Sequence, residues 1–214
     1  MTQIFPKWMN MIPKIIIVGI MFIVLILSLV IWYFFSPWHT DVGYMPTQPI
    51  PYSHKLHAGD LNIDCRYCHF NVERSAMAGV PPTQICMNCH ETILSDSKDL
   101  KYLMESWNNN IPIEWIKVHK LPDYAYFDHS VHVKAGVGCY SCHGRVDQME
   151  EVRQVKPLSM GWCLDCHRSA NKEIRPLNSI TNMQWQPSIE WNEIAEQKAK
   201  LMTPPVESCS GCHR

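Results

Sequence analysis

A small domain of short helices and loops with little polypeptide core of its own, tethered by one N-terminal transmembrane helix, is the fold class that this 214-residue sequence predicts. Three observations predict it. All ten cysteines fall in five copies of Cys-x-x-Cys-His: Cys65/Cys68/His69, Cys86/Cys89/His90, Cys139/Cys142/His143, Cys163/Cys166/His167 and Cys209/Cys212/His213. Ile15 to Phe35 is an uncharged, almost wholly apolar run of 21 residues. Beyond it the chain holds most of its 15 prolines and no long alternating apolar run, which argues against a sheet protein.

Cys-x-x-Cys-His is the attachment signature of c-type haem: the two thiols add across the vinyl groups and the adjacent His supplies the proximal iron ligand. The expected cofactors are therefore five covalently bound haem c groups, with His69, His90, His143, His167 and His213 as proximal ligands. A structural zinc site closes a tetrahedron with a second Cys pair or spaced histidines and does not require a His after every pair. A disulfide framework does not require the repeated two-residue spacing either. About 180 residues follow the apolar run, roughly 35 for each haem, a length at which polypeptide alone rarely builds a core. The haems must supply it. The expected fold is a multihaem cytochrome c, mostly short helices and loops packed around five haems, with one transmembrane helix.

As a helix, 21 apolar residues cross a hydrocarbon core of about 30 Å. Lys7 and Lys14 precede the run and Asp41 is the first charge after it, so the positive-inside rule places the N-terminus in the cytoplasm and the haem domain on the extracytoplasmic, periplasmic side, where c-type haem is normally attached. A cleaved signal peptide has a shorter apolar core and ends at a small-x-small site, whereas this run ends in Ile31-Trp32-Tyr33-Phe34-Phe35. Trp32, Tyr33 and Trp38 suit the far interface. The near-zero formal charge, −1, leaves no nucleic-acid footprint.

An internal repeat organises the rest. His54-x-x-His57 and His129-x-x-His132, offset by 75 residues, each stand shortly before two haem motifs. The expected segments are a short cytoplasmic N-terminus (1–14), an anchor (15–35), a linker (36–52), a first dihaem module with a connecting helix (53–118), a second dihaem module (119–175), and a tail carrying the fifth haem (176–214). Ser97 to Asn108 has helical spacing, with Leu100, Leu103, Met104 and Trp107 on one face. Ile189 to Met202 is a second helix, opened by Pro187-Ser188 and stopped by Pro204-Pro205.

The distal side of each iron decides the chemistry. Two strong protein ligands make an electron carrier, while an open position admits substrate. Six histidines lie outside the motifs: His39, His54, His57, His119, His129 and His132. A helical His-x-x-His sets two imidazoles about one turn apart on one face, able to reach two neighbouring irons. His119 lies before Leu121-Pro122, which limits helix continuation. His39 follows the membrane run too closely and ranks as an interfacial or surface residue. Methionine is the rival distal ligand, and Met160 and Met77 are the positions to inspect.

With these residues in view, the chain resembles the membrane-anchored pentahaem cytochrome subunit of alternative complex III, a quinol:electron-acceptor oxidoreductase. The resemblance rests on Ser53-His54-Lys55-Leu56-His57-Ala58-Gly59, Cys86-Met87-Asn88-Cys89-His90, Val118-His119-Lys120-Leu121-Pro122-Asp123, Tyr126 to His132, and Pro157-Leu158-Ser159-Met160-Gly161-Trp162-Cys163. It covers roughly Gln48 to Arg168; the tail matches only through its haem motif. The resemblance implies the distal set His54, His57, His119, His129 and His132, with Met160 an alternative. It also implies partners: an iron-sulfur subunit related to molybdopterin oxidoreductases, polytopic quinol-binding membrane subunits, monohaem or lipid-anchored subunits, and a downstream acceptor.

Three functions compete. The first is a non-catalytic electron wire in a respiratory quinol-oxidising complex, delivering to a periplasmic cytochrome, a copper protein or a terminal oxidase; spare histidines matching the haem count favour it. The second is a multihaem oxyanion reductase, which needs an open iron and cationic neighbours such as Lys134, Arg145 or Lys156. The third is a single-anchor quinol dehydrogenase, whose first motif normally lies very near the membrane, whereas here 29 residues separate Phe35 from Cys65.

Overall fold

The structure, a computed structural model, describes residues 4–35 and 41–213; His39 and Trp38 lie outside the described residues. It divides into two units, Met1–Thr40 and Asp41–Arg214. In the first, a 3-10 turn over Lys7–Met11 leads into helix α1, Ile12–Phe35. Its 24 residues give a length of roughly 36 Å, enough to cross a membrane. Pro13 lies in the first turn, where its missing N–H forfeits no helical bond, so α1 starts three residues before the apolar run. None of its side chains is buried, and the Ser28 hydroxyl donates to the Val24 carbonyl within the helix. A lipid-facing helix must satisfy its polar groups in this way.

The second unit is built from short helices: α2 (Cys65–Cys68), α3 (Thr83–His90), α4 (Lys101–Asn109), α5 (His129–Ala135), α6 (Cys139–His143), α7 (Met160–Arg168), α8 (Ile189–Leu201) and α9 (Cys209–Cys212). A π-helical turn over Lys55–Asp60, with His54 at its N-cap, holds the first His-x-x-His, whereas the second lies on α-helical α5. Among the described residues, extended pairing is limited to two isolated bridges, Ala125 with His213 and Val137 with Ile174. Every Cys-x-x-Cys is helical, and this has a steric purpose. Residues three apart share a face, so both thiols can approach one flat group from the same side.

The predicted helix over Ser97 to Asn108 becomes a 3-10 turn (Lys98–Leu100) followed by α4, with the Ser97 hydroxyl accepting from the Asp99 N–H. Leu103 is buried and Leu100 and Met104 pack beside it, but Trp107 faces outward and Ser106 is buried instead. The Ser106 hydroxyl donates to the Ile111 carbonyl, which satisfies the buried polar group. The second predicted helix matches α8 within one residue. Its first turn is capped by Ser188, whose hydroxyl accepts from the Trp191 N–H at 3.0 Å. Ser188→Ala should lower stability by about 1 kcal/mol, read as a fall of a few degrees in the thermal midpoint of the haem band, with Ser188→Asp close to wild type.

Polypeptide core is scarce. Ile50, Met87 and Leu103 form one buried cluster, and Val72, Val133 and Ile180 another. The two halves of the repeat hold each other by reciprocal backbone bonds. Lys55 N–H donates to Met149 O (3.0 Å), just beyond the third motif, while Ser130 N–H donates to Ser75 O (3.2 Å) and His129 N–H to Ala76 O (3.1 Å), just beyond the first. Lys55 and Ser130 are equivalent under the 75-residue offset. Gly59 allows the π-helical turn to seat against the Asp147 carbonyl, where any Cβ would collide.

Candidate haem sites

Three pairs of imidazoles stand at nearly one separation. Ring centres lie 6.2 Å apart for His57 and His90, 6.1 Å for His132 and His167, and 6.4 Å for His129 and His143. One metal ion bound by two imidazole nitrogens at about 2 Å holds the ring centres roughly 6 Å apart, so each pair has the spacing of two axial ligands. Each joins a motif histidine to a member of a His-x-x-His. His54 is the electrostatic neighbour of His69. His119 is brought edge-on to His143 with ring centres 4.5 Å apart, too close for a metal between them. His213 stands beside the Tyr124 ring, at 5.7 Å.

Local structure aims these rings. The Nδ1 of His57 donates to Ser53 O (2.8 Å) and that of His132 to Asp128 O (2.7 Å), each four residues back. Nδ1 also meets a backbone carbonyl in His129 (Ala76), His69 (Gly79), His90 (Ile93), His167 (Val206) and His213 (Tyr124). A carbonyl only accepts, so Nδ1 carries the proton and Nε2 keeps the lone pair that binds a metal. Tyr52 stacks on His57 at 4.5 Å and meets His54 edge-on at 4.8 Å; Phe127 stacks on His132 at 4.3 Å and meets His129 edge-on at 4.8 Å. These two aromatics escaped the sequence reading. Their offset, again 75 residues, was the signal that could have found them.

Burial tunes the same histidines. Desolvation lowers the pKa of His54 to about 4 and of His143 to about 3, with neighbouring imidazoles adding to it, and pushes His119 and His132 down as well. All four therefore stay neutral near pH 7, the form that ligates iron. His54 Nδ1 and His119 Nε2 are buried without a hydrogen-bond partner. Met160 and Met77, by contrast, are 67 % and 65 % exposed.

No disulfide joins any two of the ten cysteines. A structural zinc site needs four ligands gathered as a cage. A haem held by two thioethers and two axial imidazoles needs no such cage. The ring separations and the neutral, aimed histidines fit it.

Asp64 caps the first attachment helix. Its carboxylate accepts from the Arg66 N–H and guanidinium and from the Thr181 hydroxyl, and Arg66 also reaches Glu73 at 3.1 Å. The Arg66 side chain, with smaller help from its N–H and from Thr181, holds the Asp64 carboxyl down to about 2. A depressed carboxyl stabilises the fold above its unfolded value near 4, and that contribution disappears as pH falls through about 2. Asp64→Asn should therefore flatten the stability loss between about pH 4 and pH 2, measured by acid titration of the haem band.

A family model described as "Outer membrane cytochrome MtrC/MtrF-like, domains II/IV" matches residues 61–214. The chain belongs to this family of multihaem cytochromes. Membership makes it an electron-transport protein with covalently bound haem c. It is also 34 % identical over 97 residues to the "Menaquinone reductase, multiheme cytochrome c subunit" of Nitratidesulfovibrio vulgaris (strain Hildenborough). That alignment covers 45 % of this chain and 45 % of the relative, so the chain spans about half the length of the curated relative it matches. A relative of a membrane quinone reductase and an N-terminal apolar helix together describe a membrane-anchored multihaem cytochrome.

Proposed function

We propose that the chain carries five haem c groups and is the electron-transfer subunit of a quinol-oxidising membrane complex of the alternative complex III type, delivering to a periplasmic cytochrome, a copper protein or a terminal oxidase. The observation that carries this reading is the recurrent 6.1 to 6.4 Å spacing of motif and non-motif imidazoles. A metal closed on both sides exchanges electrons and leaves no position for substrate, which disfavours oxyanion reduction. Bound haem supplies one-electron iron redox cycling.

The protein's own residues attach, orient and shield. The five Cys pairs anchor the groups, and His69, His90, His143, His167 and His213 serve as proximal ligands. His57 is assigned opposite His90, His129 opposite His143, His132 opposite His167, and His54 opposite His69. His119 is the fifth distal histidine, on the strength of the family resemblance and its buried, unpartnered Nε2. Met160 is the weaker candidate because it is exposed. Two dihaem modules and a terminal haem follow from the repeat. α1 anchors them as a single pass, with a cytoplasmic N-terminus and a periplasmic haem domain. The partners are an iron-sulfur subunit of molybdopterin-oxidoreductase type, polytopic quinol-binding subunits, and small monohaem or lipid-anchored subunits.

The relative's name favours a second reading, with electrons running from this chain toward menaquinone. Purification of the native membrane complex separates the readings. Co-purifying polytopic and iron-sulfur subunits, with haem reduction on adding a quinol, are expected. Oxidation of the reduced haems by menaquinone, with no reduction by quinol, supports the second direction. Recovery of the chain alone overturns both.

A further inference from the structure

We propose, building on the five-haem reading, that the attachment sites form one unbranched row in the spatial order second, first, third, fourth, fifth, with the second and fifth motifs at its ends. This differs from the order along the chain. Each junction is marked by contacts between the segments concerned.

The second motif touches the first: Asn88 Nδ2 donates to the Tyr67 hydroxyl at 3.0 Å, and both are interior residues of their Cys-x-x-Cys loops. The first meets the third at its leading cysteine, Cys65 and Cys139 being electrostatic neighbours. Val72, three residues past the first motif, lies in the cluster that packs against Cys139. The reciprocal backbone bonds of the repeat fasten this same junction. Helix α5 joins third to fourth, setting His129 against His143 and His132 against His167. The fourth meets the fifth through Val206, whose carbonyl accepts from His167 Nδ1 at 2.6 Å while its side chain lies against Gly211, inside the last motif. Arg168 and Glu207 close the same seam at 3.4 Å.

Exposure supports the ends independently. Of the ten cysteines only Cys89 and Cys209 are exposed, one in the second motif and one in the fifth.

Iron positions in the haem-loaded full chain test the order directly, located by anomalous scattering in crystals or by cryo-electron microscopy. The iron at His69 should have those at His90 and His143 as its two nearest neighbours, and the iron at His213 should have a single near neighbour, at His167. Five irons in chain order, with the His90 iron nearest the His143 iron, overturn the row and leave the five-haem reading standing. Fewer than five irons overturn that reading and the row with it.

Discussion

On the proposed five-haem ligand set, His57→Ala should leave one haem without its distal ligand, converting one fifth of the low-spin ferric signal to high spin and creating one carbon monoxide site per chain. The expectation follows from the 6.2 Å separation of His57 and His90 and from the way His57 is held, with Nδ1 on Ser53 O and its face on Tyr52. Alanine is too short to reach an iron, and the other pairs draw on different histidines. His57→Met should restore low spin while raising the potential of that haem alone, since thioether ligation stabilises the ferrous state. Spin state by electron paramagnetic resonance and carbon monoxide difference spectra read both outcomes. Five low-spin haems in His57→Ala would remove His57 from the ligand set.

Gly138→Ala should damage the haem domain severely for a single added methyl. Gly138 immediately precedes Cys139, and a Cβ there would overlap the Arg175 guanidinium and its Cδ. Arg175 has little freedom to withdraw. It is 4 % exposed, donates to the Asn182 carbonyl at 3.0 Å, lies over the Trp185 ring at 4.9 Å, and ties its own N–H to Gly136 O. Overpacking costs about 1 to 3 kcal/mol, and moving a buried guanidinium off its partners adds to it. We expect a thermal midpoint lower by several degrees or more and a reduced yield of the fully haem-loaded chain. In an Arg175→Ala background the same glycine change should cost much less, a non-additivity that identifies the collision as the cause.

The multihaem cytochrome character, the apolar helix and both longer helices of the haem domain were legible because each has a local signal. A Cys-x-x-Cys-His needs no partner elsewhere to be recognised, α1 follows from length and composition, and α8 from Ser188 and the two prolines that bound it. The modest departures are equally physical. Trp107 has the right spacing for the buried face, but α4 starts one turn late after a 3-10 segment and turns Ser106 inward. What stayed hidden was long-range. That His57 meets His90 and His132 meets His167 depends on loops bringing motif and distal histidine together, and spacing alone permits other pairings. The pull of His119 toward His143 and the interlock of Lys55 with Met149 are likewise tertiary, although the 75-residue repeat had already given both halves the same parts: two histidines and two haem motifs.

The intact mass of the chain extracted from its native membrane tests most directly whether one chain carries five covalent haems. A mass equal to the polypeptide plus five haem c groups is the expected result. A mass with four or fewer, from a fully folded preparation, would contradict it.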